Sequence, residues 1–324
     1  CNLGYLYEMG EGVTKDVKKA AELYLKGAEG GDAVAQCNLA WCYEYGKGVE
    51  QNLKRAVHWY RKAAEQDNPR GMFCMGVCYK RGRGVEQDWA AAVRWYEKAA
   101  AVGYAAAQCN LGVCYEHGEG VETDLKKAAE LYRQAAEQGD AAGLCNLGYL
   151  YETGHGVEQS WDEAAKWYAR AAATGYPRGQ CNFGVCCEFG HGVEKDVVKA
   201  AGLYRQAAEQ GDRVAACNLG YLYETGVGVE QSWKDAVAWY SRAVEQELPR
   251  AQYNLAWCYE HGKGVAQNTA KALELYRAAA AQDYDGAAEA VERLEKGAGK
   301  EKSAGKDKEK GGFLKGLFGG KKDR

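Results

Sequence analysis

The chain has 324 residues and a formal net charge of −3, with 42 Lys and Arg against 45 Asp and Glu. A single hydrophobic core stops growing at roughly 250–300 residues, so one globular domain is disfavoured, and the near-neutral charge excludes an overall nucleic-acid footprint. Only three prolines occur, strand-like alternation is absent, and no apolar run approaches the ~20 residues of a membrane span.

In chain order, "CNLGYLYEMGEGV" at Cys1 returns as "CNLAWCYEYGKGV" at Cys37, "CNLGVCYEHGEGV" at Cys109, "CNLGYLYETGHGV" at Cys145, "CNFGVCCEFGHGV" at Cys181 and "CNLGYLYETGVGV" at Cys217. Weaker copies begin at Phe73 and Tyr253; each step is 36 residues, and eight steps account for all but the C-terminal end. A fixed period of this size is the mark of a solenoid, in which each unit packs only on its neighbours. A motif present in every unit is what the unit needs to fold, whereas an active site is one asymmetric constellation.

The second unit shows the logic. Asp32 is a good N-cap and Gly46 a good left-handed helix end, so the spacing predicts helix A over Ala33–Tyr45. Asn52 then precedes apolar residues at Leu53, Ala56, Val57, Tyr60, Ala63 and Ala64, one face of a helix B over Leu53–Gln66. The residue before helix B is Asp16, Asn52, Asp88, Asp124, Ser160, Asp196, Ser232 or Asn268, a capping type in all eight units. Pro69, Pro177 and Pro249 open helix A in three units, where the missing N–H costs nothing. Alanine (Ala20 to Ala272) and tyrosine (Tyr24 to Tyr276) each hold one helix-B position throughout, which predicts close packing with a ring filling the same gap in each layer. The G-x-G lies between two helices, not between a strand and a helix, so it reads as a helix end and not a phosphate loop. Two flavours of unit roughly alternate, one carrying the pairs Trp89/Trp95, Trp161/Trp167 and Trp233/Trp239, expected at buried helix–helix contacts.

The consensus A-x-x-C-N-L-G-x-x-Y-E-x-G-x-G-V-x-x-D-x-x-K-A-A-x-x-Y-x-x-A-A-E-Q-G-D resembles the Sel-one-like repeat, a relative of the tetratricopeptide repeat, over roughly nine-tenths of the chain. The chain departs from that family in having cysteine before Asn-Leu-Gly. The resemblance implies an all-α, right-handed α-solenoid that serves as a protein-binding scaffold or adaptor. The expected organisation is eight repeats over residues 1–288, the first truncated at its N-terminus, a short capping helix over 289–296, and a disordered basic tail over 297–324. Because Cys1 already lies inside a helix A and no initiator methionine precedes it, the sequence reads as a fragment whose upstream part bears on secretion.

All thirteen cysteines fall on helix A. Neighbouring helices pack ~8–10 Å apart, whereas a disulfide needs Cα atoms within ~7 Å, so mostly free thiols and a reducing, cytoplasmic compartment are expected. A cysteine-rich bacterial branch of the resembled family is secreted and disulfide-bonded, and this placement differs from it. Cys109, Cys114 and His117 are the best local metal candidates, but a five-residue step turns the two thiols apart on a helix. No metal, cofactor or catalytic residue is assigned, and a non-catalytic interaction protein is favoured over an enzyme or enzyme accessory of cell-wall or thiol metabolism.

A partner stripe is expected on helix A, at Val34, Asn38, Trp41 and Tyr45, which by resemblance lines the concave side. Along the array it comprises Asn38, Trp41, Tyr45, Asn110, Asn146, Tyr149, Asn182, Asn218, Tyr221, Asn254 and Trp257, with Cys74 interrupting the asparagines. Each amide can bond a peptide backbone or, alternatively, the backbone of the neighbouring unit. A carboxylate recurs from Glu8 to Glu260 in seven of eight units, near the negative end of a helix dipole, and a cationic partner on helix B or on a ligand is expected for it. The C-terminal residues 295–324 carry ten Lys and Arg against five Asp and Glu, leaving −8 for residues 1–294, so a monomer binding a basic protein or peptide is expected. In the tail, Phe313, Leu314, Leu317 and Phe318 are candidates to dock on a groove or an anionic membrane surface.

Overall fold

The computed structural model describes residues 1–296, and the tail expectations lie outside the described residues. Every described repeat is a pair of helices. The A helices are α1 (Asn2–Met9), α3 (Ala33–Tyr45), α5 (Pro69–Arg81), α7 (Ala105–His117), α9 (Ala141–Thr153), α11 (Pro177–Phe189), α13 (Arg213–Thr225) and α15 (Pro249–His261). The B helices are α2 (Val17–Glu29), α4 (Leu53–Ala64), α6 (Trp89–Ala101), α8 (Leu125–Glu137), α10 (Trp161–Ala173), α12 (Val197–Glu209), α14 (Trp233–Val244) and α16 (Thr269–Ala280). A last helix, α17, runs over 287–296. The fold is an α-solenoid with no strand among the described residues. It divides into two compact units, Cys1–Gly179 with His191–Val193, and Gln180–Gly190 with Glu194 onward.

Local chemistry sets the helix boundaries. All eight capping side chains before helix B accept a backbone N–H of the first turn, as Asp88 does from Ala91 at 2.9 Å and Ser160 from Glu163 at 3.3 Å. Such a cap is worth about 1 kcal/mol. Gly46 ends α3 at φ 66°, its N–H returning to the Cys42 carbonyl. The second glycine of the turn allows a close approach. At Gly48 a Cβ would stand 2.0 Å from the Val17 carbonyl oxygen, because the loop crosses the preceding helix B in backbone contact.

Helix α4 stops at Ala64, two residues short of the expected Gln66. The reason is a tight turn in which the Gln66 N–H bonds the Ala63 carbonyl and Asp67 takes φ 56°. The same repeat position is left-handed in every unit: glycine at 31, 103, 139, 175 and 211, but Asp67, Glu247 and Asp283 in the others.

Within each unit the core is layered. The eight helix-B tyrosines are at most 1 % exposed. Their rings pack against a helix-A position that is glycine or alanine; at Gly148 an added Cβ would meet the Tyr168 ring at 2.8 Å. The alternation of two flavours has a physical counterpart in glutamine pairs that join a buried glutamine on helix A to an exposed one at the end of helix B. Gln66 donates to Gln36 at 2.8 Å and Gln138 to Gln108 at 2.7 Å in the first unit, and Gln210 to Gln180 at 3.0 Å in the second. The tryptophans depart from expectation, being half-buried. The second tryptophan of each pair lies under a cation three residues on: Lys98 lies 4.5 Å from the Trp95 centroid, Arg170 4.6 Å from Trp167 and Arg242 4.4 Å from Trp239.

A β-carbon in the left-handed region costs about 1–2 kcal/mol, against the 0.5–1 kcal/mol that glycine costs in flexibility. Glu247→Gly, at φ 57°, should therefore stabilise the chain by about 0.5–1 kcal/mol, read as a higher urea midpoint; a lower midpoint would contradict this account of the turn.

Candidate interaction surface

The predicted asparagines sit half-buried on the A helices, and the structure gives them partners of a kind the sequence did not suggest. Asn38 accepts from Arg70 of the next repeat at 2.8 Å and turns its amide N–H toward Cys1 of the previous repeat, with Nδ2 3.5 Å from Sγ. Asn146 repeats this with Arg178 at 3.1 Å and Cys109 at 3.7 Å. In the second unit Arg250 bonds Asn218, and its Nε lies 3.2 Å from the Cys217 sulfur. Asn110 differs, donating to its own helix at the Ala106 carbonyl, 2.9 Å away. Asn182 and Asn254 occupy equivalent half-buried positions in the second unit. Arginine to asparagine to thiol is thus a side-chain link between repeats. Its legible signal was the Pro-Arg pair at the head of α5, α11 and α15.

The aromatic members fall into two groups. In the first unit Trp41 is half-buried, 5.4 Å from the ring of Tyr45, which is 47 % exposed and lies under the Arg83 guanidinium. Tyr149 is half-buried and meets His155 edge-on. Between α1, α3 and α5 opens a recess of about 370 Å³ lined by Tyr5, Glu8, Val34, Asn38, Trp41 and Arg70. In the second unit Tyr221 is 50 % exposed, whereas Trp257 is held between Trp233 at 5.6 Å and His261 at 4.3 Å.

The recurring carboxylate has a different partner from the expected cation. Each of Glu8, Glu44, Glu116, Glu152, Glu188, Glu224 and Glu260 accepts the hydroxyl of its repeat's buried tyrosine, at 2.5 to 2.9 Å. A cation is added at two of them: Arg83 at 2.9 Å from Glu44, and Arg293 of α17 on Glu260. The Arg293 bonds, ahead of the others, hold the Glu260 carboxyl below its usual range. The tyrosine resolves the helix-dipole conflict, because a neutral donor stabilises the carboxylate without itself needing to be charged. In repeat 3 the position is Lys80, and Tyr96 is the tyrosine whose buried hydroxyl has no partner.

Of the thirteen cysteines eleven are buried, and Cys1 and Cys74 are half-buried. Burial pushes Cys37 and Cys114 up to about 11, and Cys42, Cys78, Cys109 and Cys258 up to about 12. Among the described residues no three metal-ligating side chains converge, and no helix is long and apolar enough to cross a membrane.

Paired helices with interlocking caps, turns and tyrosine layers define a helical repeat protein. The Sel1 repeat matches eight times, at residues 1–32, 33–68, 69–104, 105–140, 141–176, 177–212, 213–248 and 249–284, and the chain belongs to the Sel1 repeat family. Among solved structures it is similar to a protective antigen of uropathogenic Escherichia coli with an SLR fold, at 37 % identity and TM-score 0.71 over 90 % of this chain. It spans 62 % of that protein's length. A Sel1 repeat protein from Oxalobacter formigenes is 30 % identical, with TM-score 0.66, over 90 % of this chain and 85 % of the other. No curated protein matches the chain. Sel1 repeat proteins are generally protein-interaction scaffolds, and the fold is typically non-catalytic.

A hydrogen bond to a charged acceptor contributes about 1.5–3 kcal/mol, and an orphaned buried donor costs about 1–3 kcal/mol. Tyr132→Phe should therefore destabilise the chain by about 1–2 kcal/mol, while Tyr96→Phe should be neutral or stabilising; equal losses in chemical denaturation would contradict the pairing. A thiol ordinarily titrates near ~8.5. Above that pH the unfolded chain loses thiol protons that the folded chain keeps, so the unfolded state binds fewer protons and stability falls as pH rises. The contribution should be complete below about pH 8.5 and decline progressively toward pH 11–12, tracked by urea midpoints at stepped alkaline pH. A flat profile would contradict buried thiols.

Proposed function

We propose that this chain is a monomeric, non-catalytic scaffold that holds a segment of a protein partner along its helix-A surface. The observation that supports this best is the recess at Trp41. There a half-buried indole, the exposed Tyr5 ring and the outer edge of Arg70 stand together on a backbone fixed by the asparagine links. Aromatic and arginine side chains on a rigid base are what binding hot spots are made of. In the second unit Tyr221 offers a comparable exposed ring, while Trp257 is committed to packing. The buried thiols support residence in a reducing compartment, the cytoplasm being the first choice.

Net charge and local charge differ. The −8 of residues 1–294 favours the approach of a basic partner at long range, but fields are screened within about 8 Å at physiological salt. At contact, the arginines on the stripe decide.

Trp41→Ala, Tyr149→Ala and Tyr221→Ala would be tested against a partner captured with the parent chain. Trp41→Ala should weaken binding by about tenfold or more with circular dichroism unchanged. If all three folded variants bind as the parent does, the helix-A surface is not the site and the helix-B face becomes the better reading.

A further inference from the structure

Repeat 3 departs from the others on one helix. In α5, Cys74 stands where the other seven repeats have asparagine and Lys80 where they have glutamate. As a result α5 carries Arg70, Lys80 and Arg81 with no acid, whereas every other A helix carries one glutamate and at most one arginine. Such a break is not what folding requires, because the seven other repeats share one solution. Beneath it Tyr96 is fully buried, and its hydroxyl is the one tyrosine donor left without the carboxylate that its counterparts bond. Burial raises its pKa first of all, so it stays a protonated donor at neutral pH, and the Arg81 charge reaches it. Lys80, half-buried, rests its ammonium 5.0 Å from the Trp89 centroid. Arg83 is committed to Glu44. Arg81 is exposed and makes no hydrogen bond or ion pair among the described residues. The position opens to the surface, since Lys80, which occupies it, is only half-buried.

We propose that α5 recognises an acidic segment of a protein partner, whose Glu or Asp carboxylate takes the place of the glutamate that repeat 3 lacks. It accepts the Tyr96 hydroxyl and is paired by Lys80 and Arg81. Lys80 leaves the indole face to meet it, which its four-carbon stem permits. Charge-assisted bonds of this kind are about twice as strong as neutral ones, and the orphaned donor makes the empty site the less stable state. The inference rests on the helix-A surface being the binding face and names what one part of it reads.

The test uses the full chain and a fluorescein-labelled peptide of alternating Glu and Ala, about a dozen residues long, with its Lys–Ala counterpart, by fluorescence anisotropy at physiological salt. The Glu peptide should bind the parent and the Lys peptide should bind at least about tenfold more weakly. Lys80→Glu supplies the missing carboxylate from within, so it should raise the melting temperature and cut affinity for the Glu peptide by about tenfold or more. Tyr96→Phe, which keeps every charge, should weaken it by a few-fold. A Glu peptide that fails to bind the parent, or that binds Lys80→Glu unchanged, overturns the proposal. Partner binding that is lost in Trp41→Ala but untouched by Lys80→Glu also overturns it, while leaving the helix-A reading standing.

Discussion

Each repeat buries a whole tyrosine, and the hydroxyl at the tip of that ring calls for an acceptor, which seven of the eight repeats supply. The rest of the unit follows from this requirement. The ring packs against a helix-A position that is glycine or alanine, as at Gly148. In these repeats the hydroxyl is satisfied from the end of helix A, where a carboxylate at the penultimate residue would otherwise oppose the helix dipole. Placing glutamate there resolves both problems at 2.5 to 2.9 Å in seven repeats. The glycine that closes helix A and the cap that opens helix B then set the offset of 16 residues at which the two side chains meet.

A second set of links ties one repeat to the next. Arg70, Asn38 and Cys1 come from three successive repeats, as do Arg178, Asn146 and Cys109. These links are polar, half-buried and on the same helix-A side as the exposed rings, so the groups that hold the surface rigid are also the groups that give it character. On the proposed reading this rigidity would serve recognition, because a partner that docks on a fixed base orders little protein on binding.

Periodicity and local rules made much of this legible. The 36-residue step, the eight caps and the bounds of α3 rest on short-range chemistry that one unit displays in full. The glutamate partner was not legible from the dipole alone, which asks for any stabilising group and suggested a cation. The signal available was joint: glutamate and tyrosine recur together in seven units and part company at Lys80. The arginine–asparagine links join residues 32 apart, beyond any single-helix pattern. The tryptophans looked like core because size and hydrophobicity imply burial, whereas Trp95, Trp167 and Trp239 each lie under a cation three residues on that does not enclose them.

The central claim is that the tyrosine–carboxylate bond is what closes seven of the repeats, and that repeat 3 forgoes it. Native-state hydrogen exchange, resolved by peptide and compared among interior repeats, tests this most directly. The expected result is that amides of α5 and α6 exchange through a lower-energy opening than their equivalents in α3, α4, α7 and α8. Protection in α5 and α6 equal to or greater than that of these flanking helices would contradict it.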